Sequence, residues 1–164
     1  MARRNGPDRE PPTEVALSEA PAPIRDAASR VEAHLRGEAG PTADLAAIEL
    51  DERRLTPFRR RVYTEARRIP RGQLVSYAEL ARRAGSPGAA RAVGRAMATN
   101  PWPLVVPCHR VVSAEGDLHG FSAPGGTRTK ATLLEIEGYV PKRQPAEALP
   151  PAEAQGTLPF RSAR

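Results

Sequence analysis

Eighteen prolines in a chain of 164 residues set the first limit on how it can fold, because they crowd toward its two ends. Proline has no amide donor and a fixed φ, so a segment dense in it supports neither a helix interior nor a sheet ladder. The stretches "PDREPPTEVALSEAPAP" and "VPKRQPAEALPPAEAQGTLPF" add Ala and Glu to the proline and carry no apolar period. Residues 1–26 and 141–164 are therefore expected to be disordered tails. Residues 27–54 are read as a short helix and linker. What remains, residues 55–140, is about 85 residues, enough for one small core.

Inside these limits the pattern is helical. "AASRVEAHLRG" puts Ala28, Val31 and Leu35 on one face and stops at Gly37. Thr56 followed by Pro57 predicts a helix start, with Phe58, Val62, Ala66 and Ile69 inward and an end before Pro70. "GQLVS" reads as a short extended link. Ser76 stands three residues before Glu79, the capping-box spacing, and "YAELARRA" continues as a helix to Gly85. Ser86 and Pro87 start a second helix at once, giving the helix-turn-helix outline. In that second helix Ala90, Val93 and Met97 fall on one side, and Arg91, Gly94, Arg95 and Ala98 on the other. Two arginines among small residues suit close approach to a phosphate backbone better than the reading of base edges.

The lone cysteine, Cys108, sits in "NPWPLVVPCHRVV". One cysteine excludes an internal disulfide framework and a multi-thiolate zinc module. The β-branched run Leu104, Val105, Val106 between prolines predicts a short buried strand ending at a constrained corner. His109 and Arg110 follow, and imidazole with guanidinium can lower a thiol pKa. Neighbouring residues on a strand point oppositely, so an inert core cysteine and a reactive thiol both remain open. Beyond "GDLHGFSAPGG", a helix from Thr127 carries Leu133, Leu134 and Ile136 and closes at Gly138. Glu135 and Glu137 lie in its last turn, where the helix dipole disfavours carboxylates, so one of them is expected to have a partner; His109 is a candidate for Glu137.

Charge adds a weaker argument. Twenty-five Lys and Arg against 19 Asp and Glu leave a net charge of +6, nearly all the positive charge being arginine, which favours a polyanionic partner. No apolar run approaches the length of a membrane span, and no signal-peptide pattern opens the chain. A cytoplasmic protein without a membrane partner is expected.

"PCHRVV", preceded by "ARAVGRAM" and "NP" and followed by "LLEIEG" in this order and spacing, resembles the O6-alkylguanine-DNA alkyltransferases, the methylated-DNA–protein-cysteine methyltransferases, from about Thr56 to Gly138. The resemblance implies a mainly α fold with a short strand element, a winged-helix-like helix-turn-helix domain with the family's N-terminal α/β domain largely absent. It implies direct-reversal DNA repair in one turnover on duplex DNA containing O6-alkylguanine, by a monomer associated with the nucleoid when DNA-bound. Cys108 would take the alkyl group, His109 would act as base through a water with Glu137 orienting it, and Asn100 would brace the turn. Tyr77 would rotate the phosphate and donate a proton. Arg91 would replace the extruded base, with Gly94, Arg95, Ala98 and Arg110 on the DNA side. The backbone of Cys108 and Val111 would accept from the guanine amino group, and the Ser122 amide would bind O6. Neither metal nor cofactor is implied. Phe121 stands where the family often has tyrosine, and the zinc ligands some members carry are missing. A lesion-binding protein that flags alkylated DNA without transfer is the alternative; Cys108 argues against it, since such relatives replace the cysteine.

Overall fold

The structure, a computed structural model, describes residues 17–40, 43–118 and 120–139. They fall into two compact units, one through Asp51 and one from Glu52 onward. The expected tail at 141–164 lies outside the described residues, as does most of the one at 1–26.

The first unit holds helix α1, Ala22–Leu35, and a helical turn at Leu45–Ala47. Helix α1 begins earlier than expected, because Pro23 occupies the first turn, where its missing amide costs nothing. Its buried residues are Ala33 and His34, whereas Leu35 remains 42% exposed, so the face predicted from Ala28, Val31 and Leu35 is displaced around the helix. The Asp44 side chain caps the Leu45–Ala47 turn by accepting from the Ala46 amide.

The second unit is a set of four helices around one two-residue strand pair. Helix α2, Pro57–Arg67, starts at Thr56, whose hydroxyl accepts from the Arg59 amide. It buries Val62, Tyr63 and Ala66. Strand β1, Val75–Ser76, leads directly into α3, Tyr77–Arg83, and α4 follows at Ala90–Ala98. Ser76 caps α3 by accepting from the Glu79 amide, but the Glu79 carboxylate pairs outward with Arg82 and Arg83. Two strong guanidinium partners hold that carboxyl down at about 2, and only half of the expected capping box is used. Gly85 ends α3 with φ +67, the Gly85 amide donating to the Arg82 carbonyl and the Ser86 amide to Ala81, a Schellman closure that turns the chain sharply into α4.

Helices α3 and α4 pack against each other and both pack against α2. Val93, Ala96 and Met97 are buried, and Arg91, Arg95 and Ala98 face outward, as the sequence pattern predicts. Strand β2, Val111–Val112, pairs in parallel with β1, Val75 opposite Val111. The expected strand ahead of Cys108 is not formed: 104–105 is a turn with Leu104 at φ +72, and the extended pair comes after the cysteine. Proline on both sides denies that run a ladder partner. Helix α5, Thr127–Ile136, closes the unit.

The C-terminal turn of α4 depends on α2. A helix leaves its last four carbonyls without intrahelical partners. The Tyr63 hydroxyl donates to the Ala96 carbonyl at 2.9 Å, and Arg59 donates to the Thr99 carbonyl at 3.0 Å while lying over the Tyr63 ring. Tyr63→Phe strands the buried Ala96 carbonyl, and the expected loss is about 1–2 kcal/mol of unfolding free energy, read as a lower urea midpoint at unchanged slope.

Candidate functional site

The segment from Asn100 to Arg110 is wound tightly by one amide side chain. Asn100 accepts from the Trp102 amide at 3.0 Å through Oδ1 and donates to the Val106 carbonyl at 2.8 Å through Nδ2. The intervening residues fold into a loop closed by the Val106 amide on the Trp102 carbonyl, at 2.9 Å. Leu104 absorbs the turn in the left-handed region, a conformation that disfavours a residue with a Cβ. Past Pro107 the chain makes a single helical turn, Cys108–Arg110, all three residues buried.

This turn, rather than a strand, decides where the three side chains point. His109 and Arg110 both go inward to Glu137. His109 Nε2 lies 2.8 Å from Glu137 Oε1, and Arg110 donates to Oε2 through Nε at 2.9 Å and to Oε1 through its terminal nitrogen at 2.7 Å. Arg110 also donates to the Ile69 carbonyl at 2.6 Å. Arg110, expected on the DNA side, is therefore folded away from the surface and only 8% exposed, because the one buried carboxylate within reach takes two of its donors. Glu137 itself is the residue at which α5 stops. Gly138 follows at φ +83, with its amide on the Glu135 carbonyl and the Tyr139 amide on Leu134, a second Schellman closure that holds the last turn in place. The Gly72 amide, on the loop between α2 and β1, reaches Oε2 at 3.4 Å.

Cys108 is 9% exposed and forms one wall of a recess. Gly94, Met97 and Ala98 of α4, Tyr77 at the start of α3, and residues 120–122 form the rest, so of the expected site residues the recess gathers Tyr77, Gly94, Ala98, Cys108 and Ser122. Arg91 and Arg95 lie outside it on the exposed face of α4, and Val111 is fully buried behind it in β2. Burial pushes the Cys108 thiol up from its ordinary range, against the pull of the Asn100 hydrogen bond and the Lys130 charge. Burial, and then the nearby Cys108, push the Tyr77 hydroxyl up as well, so it stays a protonated donor.

Lys130 was not foreseen. Its side chain is fully buried, Nζ donates to the Val111 carbonyl at 2.6 Å, and desolvation lowers its pKa to about 8 against the opposing attraction of Cys108. The signal was present in the sequence: Lys130, Leu133, Leu134 and Glu137 recur at i, i+3, i+4 and i+7, so a lysine and a glutamate occupy an apolar stripe.

The comparisons agree with this geometry. The family described as 6-O-methylguanine DNA methyltransferase, DNA binding domain, matches residues 57–139. A methylated-DNA–protein-cysteine methyltransferase of Salmonella typhimurium is 51% identical over 85 residues, covering 52% of this chain and 48% of that protein. One from Mycobacterium leprae is 45% identical over 114 residues, covering 70% and 65%. The chain thus spans about half the length of the first of these relatives and about two thirds of the second. The Mycobacterium tuberculosis OGT solved in complex with DNA superposes with a TM-score of 0.61 at 42% identity, covering 70% of this chain and 66% of that one. The O6-methylguanine methyltransferase of the same organism gives 0.59 at 40% identity, covering 76% and 69%.

The buried lysine generates a pH signature. A lysine whose folded pKa of about 8 lies below its usual 10.5 penalises the folded state while protonated, and the penalty disappears as the pH rises through that window. The difference in unfolding free energy between parent and Lys130→Met is therefore expected to move in the parent's favour from pH 8 to 10.5. Denaturant titrations of both proteins across this range measure it.

Proposed function

The chain belongs to the 6-O-methylguanine DNA methyltransferase family by its DNA-binding domain, and from that premise we propose that it repairs O6-alkylated guanine in duplex DNA by moving the alkyl group irreversibly onto Cys108. The observation that carries this reading is the position of Cys108. It is the recess wall next to α4, and the residue following it is the histidine bound to the buried Glu137.

Guanine O6 is inside the base stack, so a thiol can reach it only after the nucleotide swings out. Helix α4 supports that step. Gly94 and Ala98 let the helix approach the groove closely, Arg95 neutralises phosphate, and Arg91 enters the stack in place of the lost base, offsetting part of the unstacking cost of a few kcal/mol. This binding is largely independent of sequence, as expected of a helix face without long base-reading side chains. The base then enters the recess. Backbone carbonyls of Cys108 and Val111 accept from its amino group, and the Ser122 amide donates to O6.

A thiol pushed up by burial needs a base at neutral pH. His109 fills this role through a solvent molecule, its Nε2 hydrogen held by Glu137 so that the other ring nitrogen is free to accept. The thiolate attacks the alkyl carbon in line, the S–C bond forms as the C–O6 bond breaks, and the electron pair stays on the base. Tyr77, kept protonated, donates as the guanine leaves and recovers its proton from the one His109 took. Thiol and alkylguanine become thioether and guanine. A thioether is not a leaving group under these conditions, so each molecule reacts once. Asn100 acts by fixing the turn that aims the sulfur.

Incubation with a duplex containing O6-methylguanine is expected to add the mass of one methyl group to the intact protein, and Cys108→Ala to add none. Arg91→Ala should slow adduct formation at subsaturating DNA by roughly ten-fold or more, the scale of losing a group that offsets an unstacking cost of ~1.4 kcal/mol or above. Lesion binding by folded, reduced parent protein with no mass gain would sink the transfer reading and leave a lesion-binding protein in its place.

A further inference from the structure

The recess beside Cys108 is too small for the base that the proposed reaction brings to it. It encloses about 20 Å³, room for a water or two, and an alkylated purine is many times larger. One of its walls has to move. The wall formed by Cys108 and Met97 is stiff: these residues are 9% and 4% exposed, and the turn of α4 behind them is tied to α2 by Tyr63 and Arg59. The facing wall, 120–122, is half-buried to exposed. It belongs to a segment whose glycines at 116, 120, 125 and 126 all have positive φ. At its far end the chain is pinned where α5 begins, Thr129 Oγ1 donating to the Pro124 carbonyl at 2.6 Å. Among the described residues, the side-chain hydrogen bond that joins this wall to α4 runs from Ser122 Oγ to the Ala98 carbonyl, at 2.9 Å.

We propose that the Ser122 hydroxyl is a latch that holds 120–122 against the C-terminal turn of α4, has to be released for a base to enter, and thereby makes the protein discriminate against bulky alkyl groups. The inference rests on the alkyl-transfer reading and deepens it. Ala98 has no intrahelical partner for its carbonyl, being in the last turn of α4, so the serine hydroxyl gives that carbonyl a partner only while the wall is closed. Water replaces it when the wall swings back, which keeps the cost of opening small and positive. Any flipped guanine needs some opening. A benzyl adduct needs the wall further back than a methyl adduct, so the latch penalises it more. Ser122 is then a positioning residue for the substrate wall through its side chain, independently of what its amide donates to.

The experiment compares parent, Ser122→Ala and Ser122→Thr in two ways. The first is the ratio of transfer rates on duplexes carrying O6-benzylguanine and O6-methylguanine. It should rise in Ser122→Ala within the roughly two- to ten-fold range of one neutral hydrogen bond, and Ser122→Thr, which keeps the hydroxyl, should stay near the parent. The second is amide hydrogen exchange in the protein without DNA. Residues 120–126 should exchange faster in Ser122→Ala than in the other two, with α5 unchanged. A benzyl-to-methyl ratio equal in all three proteins, or exchange at 120–126 indifferent to the hydroxyl, overturns the latch. A parent that transfers neither group overturns the functional reading instead, while the exchange comparison still decides whether the latch exists.

Discussion

The second unit is organised around one carboxylate in the dark. Glu137 sits with its side chain fully buried at the end of α5, and both of its oxygens are claimed by Arg110, one also by His109. Charges taken out of water are tolerated only when partnered and hydrogen-bonded, and removing one member of such a pair typically costs about 3–5 kcal/mol. That cost makes the arrangement specific. The three-residue turn at Cys108–Arg110, the last turn of α5 and the loop ahead of β1 all meet at this carboxylate, through Arg110, the Gly138 closure and the Gly72 amide respectively. Arg71, which donates to the Ile136 carbonyl at 2.6 Å, adds a second tie between the same loop and helix. The cysteine is thus aimed by a residue 29 positions downstream, which no local propensity could accomplish.

The same interior holds a second cation with a different task. Arg110 is matched by Glu137, whereas the bond that holds Lys130 is to a neutral carbonyl, on the residue three past the cysteine. The two groups oppose each other's desolvation: burial raises the thiol and lowers the ammonium, and each charge draws the other toward its ionised form. Transfer of an alkyl group would end this balance, since a thioether carries no charge whatever the pH. The cost of keeping a lysine in the interior is in that view compensated only before reaction.

Much of this was legible in the residues. The proline-delimited core, the Thr56-Pro57 start, the Ser76 cap, the turn at Gly85 and the two faces of α4 follow from capping chemistry and helical periodicity, which act over a few residues. The misreadings share a cause. Leu104, Val105 and Val106 have the composition of a strand, but a strand exists only where a partner ladder does, and β1 pairs with Val111 and Val112 instead. Arg110 looked like a phosphate contact because arginine is usually at the surface; a carboxylate remote in sequence turned it inward. In α1 the expected stripe of Ala28, Val31 and Leu35 lost to Ala33 and His34, as a small apolar pattern leaves the buried face underdetermined. Tyr63 and Lys130 carry their roles through single hydrogen bonds to backbone carbonyls, which leave no trace in spacing except, for Lys130, its place in an apolar stripe.

Reactivity at a buried sulfur places opposite demands on its surroundings, and the fold meets them by dividing the site into two walls of unlike stiffness. In-line displacement tolerates little misalignment, so the sulfur has to be held within tenths of an ångström by side chains that do not move, which Asn100, Glu137 and the α2 contacts supply. A substrate extruded from a duplex arrives large and with varied substituents, so the opposite side has to yield cheaply. A short run of glycine-interrupted chain, pinned at the start of α5 and joined to α4 through one hydroxyl, yields at the scale of a single neutral hydrogen bond, about 0.5–1.5 kcal/mol. Were both walls as rigid as the first, no base would enter. Were both as soft as the second, the thiol would lose the direction that makes it a nucleophile for one carbon atom.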